Sequence, residues 1–294
     1  MYTCKKGEKV ALMLGPLMGD GIVSMPIAQR LKEEGCKVTV FSDHLYALRD
    51  LYPDYKIRPF GKHLRKDSVG FDLLLYPHQK EWPYYGHKPR KGQVRITFRE
   101  HKTFYQMKNI RELYREMCKE IFGFDEMKRE CPLVLPKSAK KAKYTKRIVI
   151  HPTASERFKE WSKEQFVQLA NELRGEGFEP VFILAPNEMK DWSAVEGATC
   201  LESLKDLAVF LYESRFFIGN DSGPGHLAAA VGTPMLTLFV RKKMMVRWSA
   251  TEERQRVMLP WLHLPGHKMK SIYWRRFVSV RRCMRRFQRL LAKA

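Results

Sequence analysis

The chain has 294 residues, 44% of them hydrophobic, which is enough for one large domain or two ordinary ones and excludes an intrinsically disordered chain. Its 54 Lys and Arg against 32 Asp and Glu leave a net charge of +22, far outside the usual balance, so a polyanionic partner is expected: nucleic acid, an anionic membrane or a phosphorylated substrate. The six cysteines, at 4, 36, 118, 131, 200 and 283, follow no Cys-x-x-Cys or Cys/His spacing; neither a zinc motif nor a disulfide framework is written here, and a reducing compartment is the simpler reading.

In chain order, "KVALML" predicts a first strand, Ile22 to Glu34 an amphipathic helix, and "KVTVF", "FDLLLY" and "QVRITF" three further strands. A long helix is expected from about Phe104 to Phe122. Lys5, Lys6 and Lys9 before "VALMLGPLMG" imitate a signal peptide, but Asp20 cuts the apolar run and no small-x-small cleavage site follows. "CPLVLPKSAKKAKYTKR" carries Pro132 and Pro136 and a run of lysines, and reads as an interdomain linker. After it the βα rhythm restarts: "RIVIHP", a helix from Ser162 to Arg174, "PVFILAP", a helix from Ser203 to Tyr212, "RFFIGN", a helix from Gly225 to Val231, and "PMLTLF". Residues 216–240 are apolar, but Asp221, Asn220, four glycines and two prolines make a poor membrane span. The expected organisation is α/β: two Rossmann-like domains, residues 1–131 and 148–270, facing each other across a cleft, joined by a linker at 132–147 and followed by a basic tail at 271–294.

The chemistry concentrates where strands meet helices. In "FIGNDSGPGHLAAAVGTP", an apolar strand runs through a glycine-rich turn into a helix of small residues. Such a turn presents free N–H groups at a helix N-terminus to an anion, so Ser222 and Gly223 are candidates for phosphate, and Asp221 and His226 for sugar hydroxyls. Gly, Pro and Asp are also ordinary turn formers, and on physical grounds the two readings weigh about equally.

The residues of this turn narrow the choice. "GNDSGPGHLAAAVGTP" resembles the signature of glycosyltransferase family 9, the heptosyltransferases of lipopolysaccharide assembly. "HPTASERFKEWSKEQFVQLANEL" is similar to the family's segment after the first strand of the second domain, except that Ser162 stands where the family has Pro. The resemblance implies that Lys159 neutralises donor phosphate, that Thr153 and Ser155 add hydroxyl contacts, that Trp161 packs at the helix start, and that Glu188 in "ILAPNE" engages the ribose. "LGPLMGDGIVSMPIAQRL" resembles the first-strand loop, which makes Asp20 the match to the catalytic base; without the resemblance Asp20 reads as a helix N-cap.

The implied protein is a GT-B type, inverting, metal-independent glycosyltransferase with no cofactor, moving heptose from ADP-heptose onto the lipopolysaccharide inner core. It would sit in the cytoplasm, on the cytoplasmic face of the inner membrane. No Asp-x-Asp motif is present, so Lys159 and the N–H groups after Asn220 would stand in for a cation. A Kdo or hexose donor stays open, and so, on charge alone, does a nucleic-acid-binding protein, although no RNA-binding motif is present. "HQKEWPYYGHKPRKGQ", with Trp82, Tyr84, Tyr85, Lys80, Lys88, Arg90 and Lys91, is the acceptor-side candidate. In the tail, Tyr273, Phe277, Val280, Met284, Phe287 and Leu291 predict one apolar helical stripe flanked by arginines, packed on the N-terminal domain or inserted in anionic lipid.

Overall fold

The computed structural model describes all residues except 16, 61–67, 78–88, 251–253, 263–265 and 294. The aromatic and basic acceptor-side candidates Lys80, Trp82, Tyr84, Tyr85 and Lys88 lie outside the described residues. The chain divides into two compact units, 1–134 and 135–294.

In the first unit, β1 (Lys9–Met13), β2 (Lys37–Phe41), β3 (Lys56–Arg58), β4 (Leu73–Tyr76) and β5 (Val94–Thr97) form a parallel sheet in the order β3-β2-β1-β4-β5. The central strand β1 is buried along Val10 to Met13, as the unbroken apolar run of its sequence requires for a strand covered on both faces. Helix α1 (Met18–Glu33) follows β1 and is buried almost all round, with Ile22, Met25, Ile27, Ala28 and Leu31 in the core. After β2 comes the short helix α2 (Asp43–Ala47), capped by the Ser42 hydroxyl.

The helix expected from Phe104 starts later, as α3 (Ile110–Phe122), behind a separate 3-10 turn at Lys102–Tyr105. Asn109 resets the start: its side chain accepts from Arg111 N–H at 3.1 Å, and its backbone, at φ -58° and ψ 140°, is non-helical. Gly123, at φ +77°, ends α3 in the left-handed conformation that favours glycine.

The second unit contains β6 (Tyr144–His151), α4 (Lys163–Gly175), β7 (Glu179–Leu184), α5 (Met189–Trp192), β8 (Ala198–Cys200), α6 (Leu204–Glu213), β9 (Ser214–Asn220), α7 (Gly223–Ala230), β10 (Met235–Leu238), α8 (Lys242–Trp248), β11 (Gln255–Met258), α9 (His267–Tyr273) and α10 (Val280–Leu291). Its parallel sheet runs β11-β10-β9-β6-β7-β8, the six-strand Rossmann order with its reversal point between β6 and β9. Strand β6 begins at Tyr144, inside the stretch expected as linker.

The tail corrects the sequence reading twice. It is not one helix from Ser271: α9 ends at Tyr273, a 3-10 turn covers Trp274–Phe277, Val278 and Ser279 are extended, and α10 then begins. Val278 is itself β-branched and follows Phe277, residue types that lose side-chain freedom in a helix, and its carbonyl accepts from Trp161 Nε1 at 3.1 Å and Gln165 Nε2 at 2.9 Å instead of serving a helix. The apolar face of α10 is not free for lipid. Val280, Cys283, Met284, Phe287 and Leu290 are buried in the second unit's own core. Phe287 meets Phe178 and Phe216 edge to face, with centroids 5.3 and 5.1 Å apart. Among the described residues no helix is long and apolar enough to cross a membrane.

Candidate active site

In an open α/β sheet, ligands bind beyond the carboxyl ends of the strands at the point where the connections diverge. In the second unit that point is the pair β6 and β9, where His151, the last residue of β6, lies beside Gly219, the last but one of β9. Every donor-side candidate comes from the segments that follow β6, β7 and β9: the loops and, for Gly223 and His226, the first turn of α7.

Asn220, fully buried, joins two of these loops. Its Nδ2 donates to Pro152 O at 2.7 Å and its Oδ1 accepts from Trp161 N–H at 3.1 Å. The Trp161 side chain is buried against Phe166 at the start of α4, as its position before the helix implied. Gly219 is constrained by contact: a Cβ there would lie 2.8 Å from His151 O and from the Phe217 ring, so only glycine lets β9 approach β6 this closely.

Lys159 lies on the 3-10 turn Arg157–Lys159, and its Nζ is 3.8 Å from Asp221 Oδ2 and 3.6 Å from Glu156 Oε2. Asp221 in turn lies 3.9 Å from His226 Nε2. Lys159, Asp221 and His226, 159 to 226 in the chain, thus form one connected polar group at the start of α7. Ser222 and Gly223 form the mouth of that helix, Ser222 at the N-cap and Gly223 as its first residue. Ser222 Oγ is buried and makes no hydrogen bond, so the N-cap side chain leaves the helix N–H groups uncapped. A buried hydroxyl and uncapped N–H groups beside a lysine fit a phosphate oxygen.

Thr153 is buried, and its hydroxyl lies 3.2 Å from His151 Nε2. His151 Nδ1 faces Ile183 O at 2.9 Å, so this nitrogen carries the proton and Nε2 accepts from Thr153. Burial holds the imidazole below its ordinary pKa and therefore neutral. Thr153 consequently turns lone pairs, not its proton, outward. Glu188 sits behind the loop after β7, where its carboxylate accepts from Ala185 N–H at 2.7 Å and acts electrostatically on His151. Ser155 is exposed on the loop, and no hydrogen bond ties it to the group.

Asp20 belongs to the first unit. It is not the N-cap of α1, which is Leu17; it is the third residue of the helix, buried, in the turn after β1 at the first sheet's own reversal point between β1 and β4. Its backbone carbonyl accepts from Ser24 Oγ at 2.7 Å, and the positive end of α1 favours its negative charge.

Several residues at the site carried no signal in the sequence reading. Trp248, at the end of α8, stands edge-on to the His226 ring at 5.9 Å. Trp274 and Arg275 reach the Lys159 turn from the tail. Among the described residues, Cys4, Glu8 and Cys36 bring metal-capable atoms within 4.8 Å of one another, a grouping hidden by their sequence separation. They lie before β1 and β2, at the edge of the first sheet opposite Asp20, and Glu8 is already held by the Tyr2 hydroxyl and Lys5 N–H.

Two Rossmann-type units in one chain, the second with an uncapped helix mouth at its reversal point, have the architecture of the GT-B class of α/β proteins. The model of glycosyltransferase family 9 (heptosyltransferase) matches residues 79–272, and the chain belongs to that family. It is 33% identical to lipopolysaccharide heptosyltransferase 3 of Escherichia coli over 103 residues, which are 31% of this chain and 30% of that protein. The match therefore spans less than a third of that curated relative. Among solved structures, the family 9 glycosyl transferase of Veillonella parvula has a TM-score of 0.77 at 15% identity, covering 100% of both chains. The E. coli ADP-heptose lps heptosyltransferase II has a TM-score of 0.70 at 14% identity, covering 97% of this chain and 99% of that one. At these identities the structural likeness speaks for the fold.

Proposed function

We propose that this protein is an inverting, metal-independent heptosyltransferase that moves heptose from ADP-heptose to the inner core of lipopolysaccharide. The observation that carries the reading is the α7 mouth, where Lys159 lies beside an uncapped helix N-terminus and the buried, unbonded Ser222 hydroxyl. A departing nucleoside diphosphate gathers negative charge, and a fixed cation with N–H groups stabilises that charge more in the transition state than in the bound donor.

In this reading Lys159, Ser222 and Gly223 hold the diphosphate, Glu188 the ribose hydroxyls, and Asp221, His226 and the lone pairs of Thr153 the sugar hydroxyls; Ser155 adds an outer contact. Asp20 takes the proton of the acceptor hydroxyl while its oxygen bonds to the anomeric carbon. The bond from that carbon to the phosphate oxygen breaks, and its electron pair leaves with ADP. The ADP-heptose and lipopolysaccharide specificities of the two E. coli relatives support this choice of donor and acceptor. The exposed arginines 281, 285, 286 and 289 on α10 would hold the protein to the anionic cytoplasmic face of the inner membrane.

The test is a thermal-shift comparison of ADP, UDP, GDP and CMP, followed by turnover of ADP-heptose with EDTA present. ADP should stabilise most, and Asp20→Asn should cut turnover by ~10²–10⁴-fold while leaving ADP affinity nearly intact. A CMP preference would move the donor to Kdo, a UDP or GDP preference to a hexose. Full turnover in the Asn variant would remove Asp20 from the chemistry, and loss of activity in EDTA would overturn metal independence.

A further inference from the structure

The cation proposed to hold the diphosphate stands on weak footing of its own. Lys159 ends a 3-10 turn of three residues, Arg157–Lys159, which buries none of its own side chains and has no side-chain cap. A single 3-10 turn has poor internal hydrogen-bond geometry and does not fix a long lysine side chain.

Its backbone is instead held from the tail, more than a hundred residues away. Trp274 Nε1 donates to Phe158 O at 2.8 Å. The Arg275 guanidinium donates through Nε to Glu160 O and through Nη2 to Arg157 O. Two consecutive residues thus hold three carbonyls on either side of Lys159. Trp274 is buried in the core of the second unit, so the hold is anchored and not a surface contact. Immediately downstream, Trp161 Nε1 and Gln165 Nε2 converge on Val278 O and tie the same two segments together a second time.

This arrangement also accounts for the break between α9 and α10. A continuous helix would spend the backbone groups of residues 274–279 internally and turn their side chains by helical period. The 3-10 turn and the extended Val278 and Ser279 direct the indole, the guanidinium and a carbonyl toward residues 157–165. Arginine suits the task because its planar fork can grip two carbonyls from one rigid group, which lysine cannot.

We infer that Trp274 and Arg275 are positioning residues for donor binding: they fix the Arg157–Lys159 turn so that the Lys159 ammonium is set beside Asp221 and the mouth of α7. The inference rests on the reading of Lys159 as the diphosphate cation. Arg275 and Trp274 act through Lys159 and need not touch the donor, so their effect on ADP binding should exist only while Lys159 is present.

A double-mutant cycle tests this, with ADP affinity measured by calorimetry on the full chain and folding checked by circular dichroism. Arg275→Gln should weaken ADP by about 10-fold in the wild-type background, and Trp274→Phe, which keeps an aromatic ring in the core but removes the N–H together with the rest of the five-membered ring, by about 3-fold. In a Lys159→Ala background both losses should shrink to less than about 2-fold. The KM for the acceptor should not move. Equal losses in the two backgrounds, or none in either, would overturn the inference and leave Trp274 and Arg275 as packing residues. If Arg275→Gln does not fold, the Trp274→Phe arm decides alone. Undiminished ADP binding in Lys159→Ala itself would overturn the diphosphate role of the lysine and this inference with it; loss there without loss in Arg275→Gln and Trp274→Phe would overturn the inference alone.

Discussion

Removing the Asn220 side chain should damage the second unit more than any other single truncation around the candidate site. Asn220→Ala leaves Trp161 N–H and Pro152 O, now at 3.1 and 2.7 Å from the amide, without their partner in a fully buried position. An orphaned buried polar group costs roughly 1–3 kcal/mol, so two cost about 2–6 kcal/mol, a large share of the stability of one domain. Asn220→Asp keeps the volume and the acceptor for Trp161 but sets a carboxylate oxygen against Pro152 O, and only the protonated acid can restore that bond. Its folded pKa should therefore lie above the unfolded value of about 3.9. A group raised in this way contributes stability fully present below the unfolded pKa and lost as pH rises through the folded one. Relative to wild type, the Asp variant should then be least impaired at pH 4 and most impaired at pH 8. Urea unfolding followed by tryptophan fluorescence reads this unit directly, because Trp161, Trp192, Trp248, Trp261 and Trp274 all belong to it. A cost below about 1 kcal/mol for Asn220→Ala, or a pH-independent difference for Asn220→Asp, would refute the bridging role.

Burial lowers the His151 pKa, so its contribution is present above the unfolded value of about 6.5 and is lost as pH falls toward the folded one; the wild type should lose up to about 1.4 kcal/mol per pH unit there, and parallel stability profiles for wild type and His151→Gln would contradict it. Replacing Arg281, Arg285, Arg286 and Arg289 with Gln should weaken sedimentation with anionic vesicles by about 1 kcal/mol per residue near the surface, steeply salt-dependent in the wild type. Equal sedimentation with neutral vesicles, or no loss in the variant, would sink the membrane reading.

The central strands were legible because both sheets bury β1, β4, β6 and β9 on two faces, which writes unbroken apolar runs such as "VALM" and "RFFI". Helices α4 and α6 were placed to the residue before their starts by Ser162 and Ser203, whose hydroxyls accept from Gln165 and Asp206 N–H. The edge strands β3, β8 and β11, of three or four residues, were not, since so short a run has no period to detect. The tail misled for a physical reason: its arginine and apolar spacing is helical, but contacts with residues 157–165 override that period at Trp274 to Ser279. Lys159, Asp221, Ser222, Gly223 and His226 were readable from local pattern and family resemblance. His151, Asn220, Trp248, Trp274 and Arg275 were not, because each matters through a partner far along the chain.

The pairing of α10 with α4 and the outer strands also orders events during synthesis. Trp161, Phe178 and Phe216 wait for Val278 and Phe287 before their side of the sheet is covered. A nascent chain that has reached residue 260 holds the strands of the second sheet but exposes an aromatic face, the kind of intermediate that recruits chaperones or aggregates. The first unit ends at residue 134, before the second sheet begins. The second unit is thereby the last to mature, and the turn that carries Lys159 becomes final only once Trp274 and Arg275 bond to its carbonyls.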